Sequence, residues 1–467
     1  MSETVLVVGG GGREHAIARA LADTDVTLFA CAENRNPGIA SLAAGFETLD
    51  TTTPQAVVAY AEEVGATLAV VGPETPLEAG VADALADAGV FPFGPHAEAA
   101  RIETDKAYQR RFMREHDIPG CPTFETFDDM GRACAYIDEC DGDLVVKPAG
   151  LTGGKGVRVI GEQVTADEAK EYLRESDYDR VVLEERLVGE EFTVQALVAN
   201  GDVRATPAVQ DHKRAYEGDE GPNTGGMGSY SDGALELPFM TAEDYRAAVG
   251  IVEETVAALD DYTGVLYGQF MLTARGPNVV EFNARFGDPE AMNTLPVLET
   301  DFLSVLTAAR DGDSLPTLDF APRATVCKYA VPEGYPTDPD AGARVGVDEG
   351  VVETINRRFG GRGRRNLATG RALLRQRRRA RRRDLHHHLA GVRGGRDRRH
   401  RRNRRGDRRR DADRGRHRGT PRSPRHRHDD ARRRPRRSHG RTADRVGPSR
   451  RVCRSADSRP QRPNGSS

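Results

Sequence analysis

Between residues 393 and 445 the chain has no Leu, Ile, Val, Met, Phe, Tyr, Trp or Cys in 53 positions. Such a stretch cannot bury enough apolar surface to offset the entropy of ordering it, so it is expected to be disordered. The charge changes with the composition. Residues 1–350 carry 26 Lys+Arg against 62 Asp+Glu, a balance of −36. Residues 351–467 carry 42 against 10, or +32, and all 42 are Arg. The net charge of −4 is therefore a cancellation between two unlike pieces. The 467 residues leave room for two or three domains, all of which must come from the acidic part.

That acidic part has only six lysines, the surface balance of a protein built for high salt. At molar salt the Debye length falls to about 3 Å, so self-repulsion of this size is tolerable. Arg13 and Glu14 interrupt the first apolar run, which excludes a signal-peptide reading. No stretch approaches about 18 uninterrupted apolar residues, so no membrane span is expected. Cys31, Cys121, Cys134, Cys140, Cys327 and Cys453 are scattered without a CxxC pair, which fits reduced thiols in a cytoplasm and argues against zinc.

Strand and helix signals alternate through the first hundred residues. Apolar runs at 4–8, 26–30, 67–71 and 90–93 are separated by helical patterns at 15–23, 54–64 and 76–88. Buried strands separated by helices imply a doubly wound parallel sheet, here a domain over 1–102. From 103 to 320 the signals are mixed. Helical patterns at 105–116, 166–174 and 242–259 alternate with strands at 144–146, 157–160, 181–184, 192–198, 265–272 and 278–283. That is an α+β domain with glycine-rich loops, large enough for a cleft. Residues 321–356 read as the start of a further domain, and 357–467 as the arginine-rich tail.

Several segments can carry chemistry. Gly9, Gly10, Gly11 and Gly12 lie between a strand and a helix start, where free N–H groups favour an anion. A tight turn needed only for packing explains them as well. A dinucleotide fingerprint is weaker, because no acidic strand end follows at the expected distance. Glu74, in GPETPL, lies at the carboxyl edge of the same sheet, where ligands of open α/β sheets bind. Lys147 ends a strand and Lys155 sits in a following glycine loop, LTGGKGV, suited to a lid over phosphates. It is not a Walker A loop, since Gly156 stands where Ser or Thr should be. Lys106, Lys147, Lys155 and Lys213 account for four of the six lysines in the acidic part, all in marked segments. QDHKR at 210–214 sets Asp211 beside a basic triplet, and GPNTGGMG at 221–228 is a glycine nest able to wrap an anion. In VEFNARFGDPE, a period of two places Glu281, Asn283 and Arg285 on one strand face. A carboxylate and an amide oxygen are hard ligands for Mg²⁺ shared with phosphates, and Arg285 can neutralise a transferring phosphoryl group.

Taken in order, GGGGREHA, GPETPL, VVKPAGLTGGKGV, EERLVGEEF, QDHKR, GPNTGGMGSYS and EFNARFGDPE resemble the phosphoribosylamine–glycine ligase family of ATP-grasp enzymes. The likeness covers about residues 1–350. It implies an α/β N-terminal domain followed by an ATP-grasp domain, and ligation of glycine to 5-phosphoribosylamine through a glycyl phosphate at the expense of ATP. By resemblance, Lys106, Lys147 and Lys155 hold ATP, and Glu184 and Glu191 hold adenine or ribose. Glu281 and Asn283 hold Mg²⁺ or Mn²⁺, and Arg285, with Lys155, serves the acyl-phosphate step. Asp211, Lys213, Asn223, Gly225, Gly226 and Gly228 take glycine and phosphoribosylamine, together with Gly9–Gly12 and Glu74. The expectation is a cytoplasmic monomer acting on small molecules, without nucleic acid or membrane. Three rivals remain: another ATP-grasp carboxylate–amine ligase, a dehydrogenase resting on the first glycine turn, and a nucleic-acid-binding protein resting on the tail.

The family continues with a domain that nothing beyond Glu353 resembles. A frameshift near residue 356 explains the tail: codons starting with G, read one base early after C, become CGN, which is always Arg. The stretch RQRRRARRRDLHHHL (375–389) can be written in codons whose next frame reads ASVDERDGEIYTTTS, acidic and then strand-like. A chain altered in this way is expected to be poorly active.

Overall fold

The computed structural model describes residues 3–140, 143–152, 156–218, 220–224, 226–332 and 334–339, with the side chain of Asn223 left aside. The tail expected from 357, and the frameshift with it, lie outside these residues.

Strands β1 (Glu3–Val8), β2 (Val26–Ala32), β3 (Gly45–Thr48), β4 (Leu68–Val71) and β5 (Phe91–Phe93) form one parallel sheet, ordered β3-β2-β1-β4-β5. Val5, Leu6, Val7 and Val8 are all fully buried, Leu6 and Val8 in one core and Val5 and Val7 in another. A strand covered on both faces reads as a continuous apolar run, as β1 does. The strand order reverses between β1 and β4, the switch point at which such sheets bind ligands. Helix α1 (Gly12–Ala22) starts from the glycine turn after β1.

The single helix expected over 76–88 is instead two, Glu74–Glu78 and Val81–Asp87. Gly80 separates them at φ +80°, a left-handed conformation that ends one helix and starts the next. The strand expected at 157–160 shrinks to Arg158–Val159.

The chain then builds two antiparallel four-stranded sheets. The first, in a small lobe, orders Phe124–Phe127, Val181–Glu185, Leu144–Pro148 and Arg158–Val159 from edge to edge. It is backed by the helices Met130–Glu139 and Ala166–Glu175, and Ile137, Val146, Leu173 and Leu183 make it a core of its own. The second orders Asp202–Ala205, Glu190–Ala199, Gly264–Thr273 and Gly276–Asn283. The helix Ala242–Ala258, started by a Thr241–Asp244 capping box, packs on it. Pairing slips by one residue where Gln269 and Phe270 face Glu281 and Val279, which leaves Val280 as a bulge.

The strand Thr325–Lys328 lies past the boundary expected at 320. It nevertheless pairs with Gly228–Ser231, which pairs in turn with Gln210–Asp211. Among the described residues no helix is long and apolar enough to cross a membrane.

Candidate active site

The glycine turn after β1 is occupied by the protein's own carboxylate. Gly11 donates its N–H to Glu14 Oε2 at 2.6 Å, and a Cβ on Gly72 would fall 2.2 Å from Glu14 Oε1. The glycines here let Glu14 fold back against two turns at once. Arg13 pairs with the other Glu14 oxygen at 2.6 Å and donates to the Phe286 carbonyl at 3.0 Å, tying this turn to the segment after the strand Gly276–Asn283.

Glu74 does stand at this edge, but beside arginines: Arg285 Nε is 3.4 Å from Glu74 Oε2 and Arg13 Nη2 is 4.0 Å away. Arg285 Nη2 also contacts Glu103 Oε1 at 2.9 Å and donates to Asn283 Oδ1 at 3.1 Å. Burial would depress the Arg285 guanidinium, but Glu103 and Glu74 hold it above its ordinary range. Burial raises Glu103, whose second oxygen accepts the Ala284 amide at 2.7 Å. Arg285 is thus a cation anchored by Glu103 and Glu74. Glu103, Glu14 and Arg13 escaped the sequence reading because their role depends on contacts between distant segments.

In the small lobe, Lys147 is buried and donates to the Val280 carbonyl at 2.8 Å while pairing with Glu184. Glu184 also receives Arg110 Nε at 2.7 Å. Burial alone would raise the Glu184 carboxyl, but Arg110 and Lys147 hold it below its usual range. Its oxygens are therefore engaged by cations, which departs from the expectation that they meet adenine or ribose. Glu191 accepts from Gln269, and burial raises its carboxyl. Lys155 and Gly225 lie outside the described residues, as does the side chain of Asn223, whose backbone ends the strand Glu220–Asn223.

Asp211 and Lys213 meet as the motif suggests, at 3.0 Å. Burial would lower Lys213, but Asp211, Glu191 and Glu290 around it push it up. Gly226, at φ +126°, crosses so close that a Cβ would lie 3.0 Å from both Asp211 oxygens. Asp211 Oδ1 is buried with no hydrogen-bond partner among the described residues, and so is Gln195 Nε2. An orphaned buried acceptor such as Asp211 Oδ1 is what the ammonium of a ligand would satisfy. Glu290 completes the cluster. Burial and Asp211 push its carboxyl up to about 7, and Tyr267 donates to it at 3.0 Å. Glu290 belongs to a segment quoted from the sequence, but its burial was not legible there.

Glu281 is half-buried, and its carboxylate accepts no hydrogen bond among the described residues. Burial would raise it, but Lys106, Lys147, Lys213 and Arg285 together hold it low and ionised. Glu281 and Asn283 come from the same strand end. No group of three His, Cys, Asp or Glu suited to a metal exists among the described residues. An ionised carboxylate beside an amide oxygen, which keeps a second lone pair besides the one that accepts from Arg285, fits a divalent cation that takes its remaining ligands from phosphates and water.

Two family models match in order: the N domain of phosphoribosylglycinamide synthetase over residues 3–103, and its ATP-grasp (A) domain over residues 104–291. The phosphoribosylamine–glycine ligase of Methanoregula boonei is 53% identical over 351 residues, 74% of this chain and 82% of its own. That of Methanocella arvoryzae is 52% identical over 356 residues, with the same coverage. The crystal structure of phosphoribosylamine–glycine ligase from Thermotoga maritima superimposes with a TM-score of 0.61 at 26% identity, covering 72% of this chain and 82% of that one. An ADP complex of N5-carboxyaminoimidazole ribonucleotide synthetase, at 16% identity and a TM-score of 0.59, shares the fold. With both domains matched in order and more than half of its residues identical to these relatives over the aligned length, the chain belongs to the phosphoribosylamine–glycine ligase family.

Proposed function

We infer that this protein ligates glycine to 5-phosphoribosylamine with ATP, giving glycinamide ribonucleotide, ADP and phosphate, in de novo purine (IMP) biosynthesis. The observation that carries this is the convergence of Lys106, Lys147, Lys213 and Arg285 on the single carboxylate of Glu281. Lys147, Lys213 and Arg285 are each also held by a carboxylate of their own, Glu184, Asp211 and Glu103, so the cations stand fixed around Glu281 where a polyphosphate with its metal would meet them. The glycine carboxylate takes the γ-phosphoryl group of ATP and releases ADP. The amine of phosphoribosylamine then displaces phosphate and forms the amide.

Lys106, Lys147 and Lys155 bind the ATP phosphates in this reading, and Glu191 binds the ribose or base. Glu184 holds Lys147 in place. Asp211 and Lys213, with Gly226 and Gly228, receive glycine and phosphoribosylamine. Arg285 steadies the acyl-phosphate step from its anchored position, and Glu281 and Asn283 would hold Mg²⁺ or Mn²⁺. When bound, that metal neutralises phosphate charge. The enzyme acts as a cytoplasmic monomer on small molecules. An ADP-release assay with each substrate omitted in turn tests the reading. Release that requires glycine and phosphoribosylamine together supports it, and release with bicarbonate in place of glycine overturns it.

We also propose that residues from about 356 onward are read in a shifted frame. The alignments to relatives cover only 74% of the chain, close to the length of the acidic part. Resequencing the gene around codon 356 decides this, and an uninterrupted frame with arginine-rich peptides found in cells would refute it.

A further inference from the structure

Arg110 has no place in the chemistry so far, yet it is among the most deeply buried side chains in the protein, with 2% of its surface exposed. It projects from the helix Lys106–Glu115, whose first residue is one of the lysines facing Glu281. Its guanidinium grips two elements at once. Towards the small lobe, Nε and Nη2 take both oxygens of Glu184 at 2.7 and 3.3 Å. Towards the larger sheet, Nη2 donates to the carbonyls of Val279 at 3.2 Å and Val280 at 2.7 Å.

Val280 is the bulged residue of its strand. A bulge withdraws one residue from the ladder and changes which face the following side chains take. Without it, the register that sets Glu281 opposite Gln269 would slip, and Glu281 would turn away from the lysines. The carbonyl exposed by the bulge must find donors, because a buried unpaired carbonyl costs about 1–3 kcal/mol. Those donors are Arg110 and Lys147. Gln109, the neighbour of Arg110, donates to Phe282 at 3.1 Å, so the same helix holds the strand on both sides of Glu281. A lysine at 110 has one ammonium group and cannot reproduce a planar fork aimed at a carboxylate and two carbonyls.

We propose that Arg110 is a positioning residue that locks the bulge at Val280, and thereby sets Glu281 and Lys147 where a divalent cation and ATP phosphates meet. This rests on the ligase reading. Two measurements on the full chain test it. Calorimetric titration with ATP, with and without Mg²⁺, should show that Arg110→Lys loses about tenfold or more of the Mg²⁺-dependent tightening, as for other residues that orient a metal ligand. Affinity for ATP without metal should fall less. Amide hydrogen exchange in the ligand-free protein should show faster exchange across residues 279–283 in the variant. If Arg110→Lys does not fold, Arg110→Gln loses the fork while Glu184 keeps its pairing with Lys147, and the same two changes are expected from it. Wild-type Mg²⁺ enhancement in either folded variant overturns the proposal, as does a loss of melting temperature with unchanged exchange at 279–283. A wild-type chain that binds no ATP overturns the ligase reading, and this inference with it.

Discussion

Glu14 accepts the amide of Gly11 at 2.6 Å, so the first turn of α1 supplies the anion that sits at its own N-terminus. The same carboxylate lies against Gly72, at the end of the neighbouring strand β4. The turns after β1 and β4 are therefore built around one side chain at the switch point of the sheet.

Gly72→Ala should disturb this arrangement directly. Its Cβ would lie 2.2 Å from Glu14 Oε1, and overpacking of this kind costs about 1–3 kcal/mol. We expect a lower urea midpoint and a raised KM for phosphoribosylamine, with ATP affinity unchanged. An unchanged KM in the variant would remove this edge of the sheet from the substrate site.

Arg285→Met leaves Glu103 buried without its cation and should cost about 3–5 kcal/mol in denaturant titration. Adding Glu103→Gln removes the stranded carboxyl, and more than half of that loss should return. If the double variant is no more stable than the single one, the pair does not carry the junction.

Glu281→Gln should raise the Mg²⁺ concentration needed for half-maximal ATP turnover while leaving the melting temperature near wild type, because among the described residues the carboxylate has no hydrogen-bonded partner to abandon. Undiminished turnover at limiting Mg²⁺ would take Glu281 out of the site.

Glu290 links the site to pH. Its carboxyl is pushed up to about 7 from an ordinary 4.5, so the folded protein holds a proton that the unfolded chain releases. The stability from that proton is fully present below about pH 4.5 and is lost as pH rises through about 7. Glu290→Gln keeps the neutral form at every pH. Above pH 7 it should be the more stable protein by on the order of 2 kcal/mol, with little difference near pH 5. Parallel wild-type and variant melting curves from pH 5 to 8.5 would show that Glu290 does not titrate in this range.

The parallel sheet was legible in the sequence because a strand buried on both faces must be apolar throughout, and the run ending at Val8 is. Lys147, Asp211, Lys213, Glu281 and Asn283 stood out in the sequence as candidates, since charged and amide groups beside glycines or at strand ends have few structural uses. The break at Gly80 was not legible, because an isolated glycine inside a helical pattern is often tolerated.

What the sequence by itself determined is the inventory: an acidic folding part, an arginine-rich remainder that cannot form a core, and segments with donors and acceptors suited to ATP, a metal and a phosphorylated amine. The tertiary structure decided which of those groups remain open to a ligand. Glu184 and Glu281 look alike as carboxylates on strands, yet Arg110 and Lys147 pair directly with the first, while the second makes no ion pair among the described residues. Arg110 comes from 74 residues earlier in the chain than Glu184, and the carbonyls it grips come from about 170 residues later. Long-range pairing of this kind has no local signature, because the burial that makes it strong exists only once the three elements pack together.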